Sequence, residues 1–113
     1  MNLTSDKEND YYIIGIDGDL DASSCINLDQ TISEAVSKGE KKIIIDCSRL
    51  NYISSAGLGV FMSYLQDFET NKIKLALYNL SEKVKGVFQI LGLDQLIKIV
   101  NTKEEAKEIV NGL

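Results

Sequence analysis

The chain has no histidine and no proline in its 113 residues, one arginine, and two cysteines. Each scarcity closes a class of function. Without histidine there is no Ser-His or Cys-His nucleophile pair and no imidazole metal ligand, so most hydrolase chemistry is excluded. Cys25 and Cys47 form neither a CxxC pair nor a zinc-type spacing. They read as buried free thiols, since a free cysteine packs as a small hydrophobe. No apolar run approaches the ~20 residues that a membrane span needs. Lys41-Lys42 is the only adjacent basic pair and the formal net charge is −5, which argues against nucleic acid and against an anionic membrane surface as partners. No calcium-type oxygen-ligand loop and no phosphate-loop glycine spacing occurs. No metal, no cofactor and no catalytic activity are therefore expected.

What is present describes a globular domain. The composition is 44% apolar and 26% charged. A chain of this length buries roughly two-thirds of the surface its unfolded form exposes. With no repeat, no low-complexity segment and no proline-rich linker, residues 1–113 are expected to form one domain. The opening MNLTSDKEND is polar and acidic, unlike a secretory leader, so a cytoplasmic location is expected. Residues 1–10 read either as a frayed tail or as a short edge strand around Leu3.

Hydrophobic period then divides the chain. YYIIGI (Tyr11–Ile16) is a β-rich run that a turn at Asp17-Gly18-Asp19 should end. Cys25, Leu28, Ile32, Ala35 and Val36 recur at helical spacing, with Asp21 or Ser23 as the cap and Gly39 as the stop. Ile43-Ile44-Ile45 reads as a strand buried on both faces, followed by a polar loop from Asp46 to Ser55. Leu58, Phe61, Met62, Leu65 and Phe68 predict a helix to about Glu69. A strand at Ile73–Tyr78, a helix capped by Ser81 and stopped at Gly92, and a weak strand at Leu96–Val100 follow. A capping box of Thr102 and Glu105 opens the last helix. The alternation β-α-β-α-β-α-β-α predicts an α/β fold with a small, mostly parallel sheet of four to five strands and about four helices. Sites in such sheets lie beyond the carboxyl ends of the strands. That points to the segments Asp17–Ala22 and Asp46–Ser55.

In the second segment, YISSAGLGVF (Tyr52–Phe61) carries two glycines in a first helical turn, where each costs about 1 kcal/mol relative to alanine. Ser55 next to them supports two compatible readings: a helix N-cap, or a modification site where unpaired amides and the helix dipole welcome phosphate. Gly57 and Gly59 would either allow close packing on a strand or leave bare ground for a second protein. Asp19, Asp21 and Asp46 read as turn formers and caps.

IIIDCSRLNYISSAGLGVFMSYLQ, together with DGDLDASS, resembles the anti-sigma-factor antagonist family of small STAS-domain proteins. Its members carry a G-x-L-D turn, matched by Gly18-Asp19-Leu20-Asp21, and a loop like D-S-[ST]-G-L-G, matched by Ser54-Ser55-Ala56-Gly57-Leu58-Gly59. The usual aspartate is replaced by Ser54 and the usual hydroxyl residue by Ala56. The resemblance implies a STAS-like fold and a phospho-regulated binding module; a monomer when free is the default expectation, on which the sequence itself is silent. The resemblance also implies an anti-sigma factor/serine kinase of GHKL type as partner and a PP2C-type phosphatase that resets the switch. It places the phosphoacceptor on Ser55, with Ser54 as the second candidate, and the partner contact on Asp21, Ser54, Ala56, Gly57, Leu58 and Gly59, with Val60 at the edge. The other reading is a small-molecule or nucleotide-sensing STAS domain that uses the Asp17–Ala22 and Asp46–Ser55 segments as a pocket.

Overall fold

A computed structural model describes residues 1–112. Five strands lie in the order β1-β2-β3-β4-β5: Asn2–Glu8, Tyr11–Leu20, Lys42–Ile53, Lys74–Tyr78 and Lys98–Val100. β1 runs antiparallel to β2, so the first segment is an edge strand, and the other neighbours are parallel. Helices α1 (Cys25–Ser37), α2 (Ser55–Thr70), α3 (Glu82–Ile90) and α4 (Lys103–Val110) alternate with β2 to β5. The sheet is mixed, with four helices, as its sequence pattern predicts.

Parallel strands added in sequence order with right-handed crossovers place all three connecting helices on one face. The main core sits there: Leu28 and Ile32 of α1, Leu58, Phe61 and Phe68 of α2, and Val84 and Phe88 of α3 pack on Ile14, Ile16, Ile43 and Ile45. Helix α4 covers part of the other face, where Ala106 and Val110 meet Ile44 and Ala76. Alternation along a strand sends Ile43 and Ile45 one way and Ile44 the other. All three are 0% exposed, so the triplet is buried on both faces.

Helix ends follow local chemistry. Ser81 Oγ accepts from the Val84 amide at 3.2 Å, and Gly92, at φ 71°, supplies the left-handed turn after α3. The capping box forms in full: Thr102 Oγ1 accepts from Glu105 N, and Glu105 Oε1 accepts from Thr102 N, both at 3.1 Å. Two helices are cross-linked where Tyr64 of α2 donates its hydroxyl to Asp29 Oδ1 of α1 at 2.6 Å. Burial, followed by that carboxylate, pushes the Tyr64 phenol up to about 12.

Two expectations are corrected. The turn at Asp17-Gly18-Asp19 is strand, and so is the expected loop from Asp46 to Ser55 as far as Ile53, because β2 and β3 go on pairing with each other after β4 has ended at Tyr78. That pairing absorbs two bulges. β3 spends Asp46 to Arg49 where β2 spends Gly15 to Asp17, and Leu50 to Tyr52 where β2 spends Gly18 to Asp19. Each bulge inserts an extra residue and breaks the period of two. The buried positions of β3 therefore continue as Cys47, Leu50 and Ile53, a spacing that matches neither strand nor helix cleanly.

Candidate partner-binding site at the start of helix α2

β2 and β3 end side by side, with Leu20 paired to Ile53. The chain leaves β3 through Ser54, which is extended (φ −87°, ψ 170°) and serves as the N-cap of α2. Its hydroxyl accepts from the Gly57 amide at 3.2 Å, and its own amide donates to the Leu20 carbonyl at 2.9 Å. The cap is thus Ser54 and not Ser55. Ser55 is the first helical residue and is exposed, while Ser54 is half-buried. The distinction is chemical. Ser54's oxygen is engaged in holding the helix start, and Ser55's hydroxyl faces solvent one residue further on. A helix leaves its first amides without intrahelical partners. With those of Ser54 and Gly57 satisfied, the amides of Ser55 and Ala56 remain at the positive end of the dipole.

The two glycines have opposite surroundings. A Cβ on Gly57 would lie 2.9 Å from Leu20 Cγ and Cδ2 and 3.0 Å from Ile53 Cγ1, so the first turn of α2 rests directly on those side chains. A Cβ on Gly59 would meet nothing within 4 Å. Gly57 is therefore a packing glycine and Gly59 an exposed one. Leu58, expected at the rim of a contact surface, is 4% exposed and belongs to the core. Its position in the helix turns it under, toward the sheet, beside Phe61. The accessible patch is made by Ser55, Ala56 and Gly59, with Val60 half-buried beside them.

Asp21 lies one residue beyond Leu20, next to this patch. Its Oδ1 accepts from the amides of Ser23 at 3.0 Å and Ser24 at 2.9 Å and from the Ser23 hydroxyl at 2.8 Å. Cys25 N donates to its carbonyl at 3.0 Å. Asp21 thus caps the turn that leads into α1, although the helix itself starts at Cys25 after Ser24. The Ser24 amide, then the hydroxyls of Ser23 and Ser24, hold its carboxyl down at about 2. The carboxylate is exposed and fully charged near neutral pH.

Asp46 is elsewhere. It pairs with Gly15 and Tyr78 in the sheet, and its Oδ1 accepts from the Ser48 hydroxyl at 2.7 Å. Burial raises its pKa, but the hydroxyl and amide of Ser48 outweigh that and leave it below the ordinary carboxylate range. It lines a cavity of about 400 Å³ with Asn2, Thr4, Asp17, Ser48 and Arg49. Strand alternation puts this cavity on the α4 face of the sheet, away from Ser55. The pocket expected from the two segments therefore takes their strand portions only. Cys47 is buried, and that burial pushes its thiol far up, so it is inert packing.

Two residues of the site escape sequence reasoning. Tyr52, 47% exposed, pairs with Asp19 beside the patch. Leu20, 0% exposed, supports it from below. The sequence pattern puts both in loop segments, Leu20 within the Gly18–Asp21 turn motif, and gives neither a role at the site; it is the register of β2 on β3 that sets Leu20 under α2.

The STAS domain family profile matches residues 2–106, and the chain belongs to that family. It is 32% identical over 106 residues to BtrV of Bordetella bronchiseptica, a protein described provisionally as an anti-sigma factor antagonist, covering 94% of this chain and 91% of that one. A Thermotoga maritima structure described in the same provisional terms superposes with a TM-score of 0.89 at 27% identity, over 96% of this chain and 94% of that one. The Bacillus cell fate determinant SpoIIAA in its phosphorylated form superposes with a TM-score of 0.72 at 26% identity, over 95% and 97% of the two chains. Among the described residues no helix is long and apolar enough to cross a membrane.

Proposed function

We propose that this protein is an anti-sigma factor antagonist, a single-domain, non-catalytic binding module switched by phosphorylation of Ser55. Unphosphorylated, it holds an anti-sigma factor that is also a serine kinase of GHKL type, and so releases the sigma factor. The kinase transfers phosphate to Ser55 and the complex separates. A PP2C-type phosphatase restores the binding form. The observation that carries this reading is the exposed Ser55 hydroxyl at the first position of α2, beside a glycine that the fold does not require. Gly59 has open space around it and costs about 1 kcal/mol of helix stability, which a partner resting on that turn explains. Similarity to BtrV and to phosphorylated SpoIIAA points the same way.

The physics of the switch is local. Phosphate adds about −1.5 to −2 charges and three acceptor oxygens. At the start of a helix this is tolerated or slightly favourable, because the Ser55 and Ala56 amides and the dipole meet it. The loss therefore falls on the interface, where bulk and charge confront a surface fitted to a neutral hydroxyl. About 3 kcal/mol there is over a hundredfold in affinity.

The test uses Ser55→Ala as bait in a pull-down from cell extract, since an unmodifiable form should trap the kinase. The captured kinase with ATP should then place one phosphate on the wild-type chain, located by mass spectrometry at Ser55 and absent in Ser55→Ala. Incorporation that persists in Ser55→Ala and disappears in Ser54→Ala would move the acceptor to Ser54.

A further inference from the structure

Leu20 touches the start of α2 in two ways. Its carbonyl accepts from the Ser54 amide at 2.9 Å. Its side chain, fully buried, fills the space below Gly57 so closely that a single added methyl would come within 2.9 Å of it. Ser54 and Gly57 bracket Ser55 and Ala56. The two exposed residues are thus a short bridge whose abutments both stand on one residue of the neighbouring strand. Ile53, paired with Leu20, completes the floor, its Cγ1 lying 3.0 Å from where the same added methyl would stand. Neither contact involves the Ser55 side chain, so the support leaves the hydroxyl free.

We propose that Leu20 is a positioning residue for phosphorylation: through its fitted contact with Gly57 it sets the height and orientation at which α2 presents the Ser55 hydroxyl to a kinase. This deepens the phospho-switch reading and rests on it. Phosphoryl transfer depends on placement of the attacking oxygen in line with the leaving group, and displacements of about 1 Å cost on the order of a hundredfold in rate. A floor packed to van der Waals contact fixes that placement, because interiors at this density transmit a change of one methyl group. A solvent-exposed turn without such a floor would present the hydroxyl over a range of heights.

The test has two arms. The first needs no kinase. In the wild-type protein, nuclear Overhauser contacts should connect the Leu20 δ-methyls to the Gly57 α-protons; their absence would overturn the proposal whatever the function. In the second arm, Gly57→Ala must lift the first turn or push Leu20 aside. Phosphorylation of Ser55 by the captured kinase should fall at least tenfold in kcat, with KM changed less than threefold. The double variant Leu20→Val/Gly57→Ala, which trims the side chain that the new methyl meets, should recover most of the rate. Circular dichroism and amide spectra outside α2 show that each variant is folded. A wild-type kcat in Gly57→Ala, or a change confined to KM, would overturn the positioning role, the latter making Gly57 a contact for the partner instead. Should the wild-type chain accept no phosphate while the Overhauser contacts are present, it is the switch reading that fails, and the role of Leu20 in phosphorylation falls with it.

Discussion

Adjacent serines at the start of α2 divide two tasks that one serine was expected to share. Ser54 holds the helix and Ser55 faces outward. Replacing Ser54 by alanine removes the acceptor for the Gly57 amide and should cost about 1 kcal/mol in chemical denaturation, while phosphate still enters at Ser55. Replacing Ser55 by aspartate leaves the cap untouched. The folded Ser55→Asp protein should bind the kinase at least tenfold more weakly in a titration, and unchanged affinity would count against the charge argument. Gly59→Ala separates stability from binding. Its methyl has open space, so the variant should gain up to about 1 kcal/mol in stability. If a partner rests on that turn, the same variant binds it less tightly.

Elements are joined here by a few polar contacts with a clear pH signature. Glu8 at the end of β1 accepts from Lys103 at 2.7 Å and Lys107 at 2.8 Å, both on α4. Those hydrogen bonds, Lys103's first, hold its carboxyl at about 2, against an ordinary value of 4.5. A carboxyl depressed in the folded state is stabilising above its unfolded pKa and loses that contribution as pH falls toward the folded one. The stability difference between wild type and Glu8→Gln should therefore be full above about pH 4.5 and vanish by about pH 2, as read by urea melts across that range. Helix α4 has eight residues, short of the roughly 12–15 that an isolated helix needs. Thr102→Ala, which breaks its capping box, should cost about 1 kcal/mol.

At the scale of the molecule, Ser55, the proposed phosphoacceptor, lies at the carboxyl end of the parallel strands, where β2 and β3 feed α1 and α2. The floor beneath it is the main core, not a loop. Phosphate placed there would change the surface without refolding the chain. Amide shifts in the phosphorylated protein should be confined to the first turn of α2, the segment from Asp19 at the end of β2 to Ser24, and Tyr52, and the melting temperature should move by only a few degrees. Widespread shifts across α4 or β1 would contradict a local switch.

Much was legible in the chain before its fold. Helical period located all four helices, Ser81 and Thr102 announced their caps, and three successive isoleucines announced a strand buried on both faces. These features are written in neighbouring residues, because caps and amphipathic stripes are set by local hydrogen bonding and local spacing. The Ser54–Gly59 motif was legible through its family resemblance, but which of its two serines caps the helix was not. What only the tertiary structure decided depends on partners distant in sequence. The bulged extension of β2 and β3 is stabilised by pairing between strands, and bulges erase the period by which a strand is recognised. Whether Gly57, Leu58 or Gly59 faced a partner or the core depended on what lay beneath the helix, and that proved to be Leu20, a residue that the chain brings there only by closing a parallel register through an intervening helix.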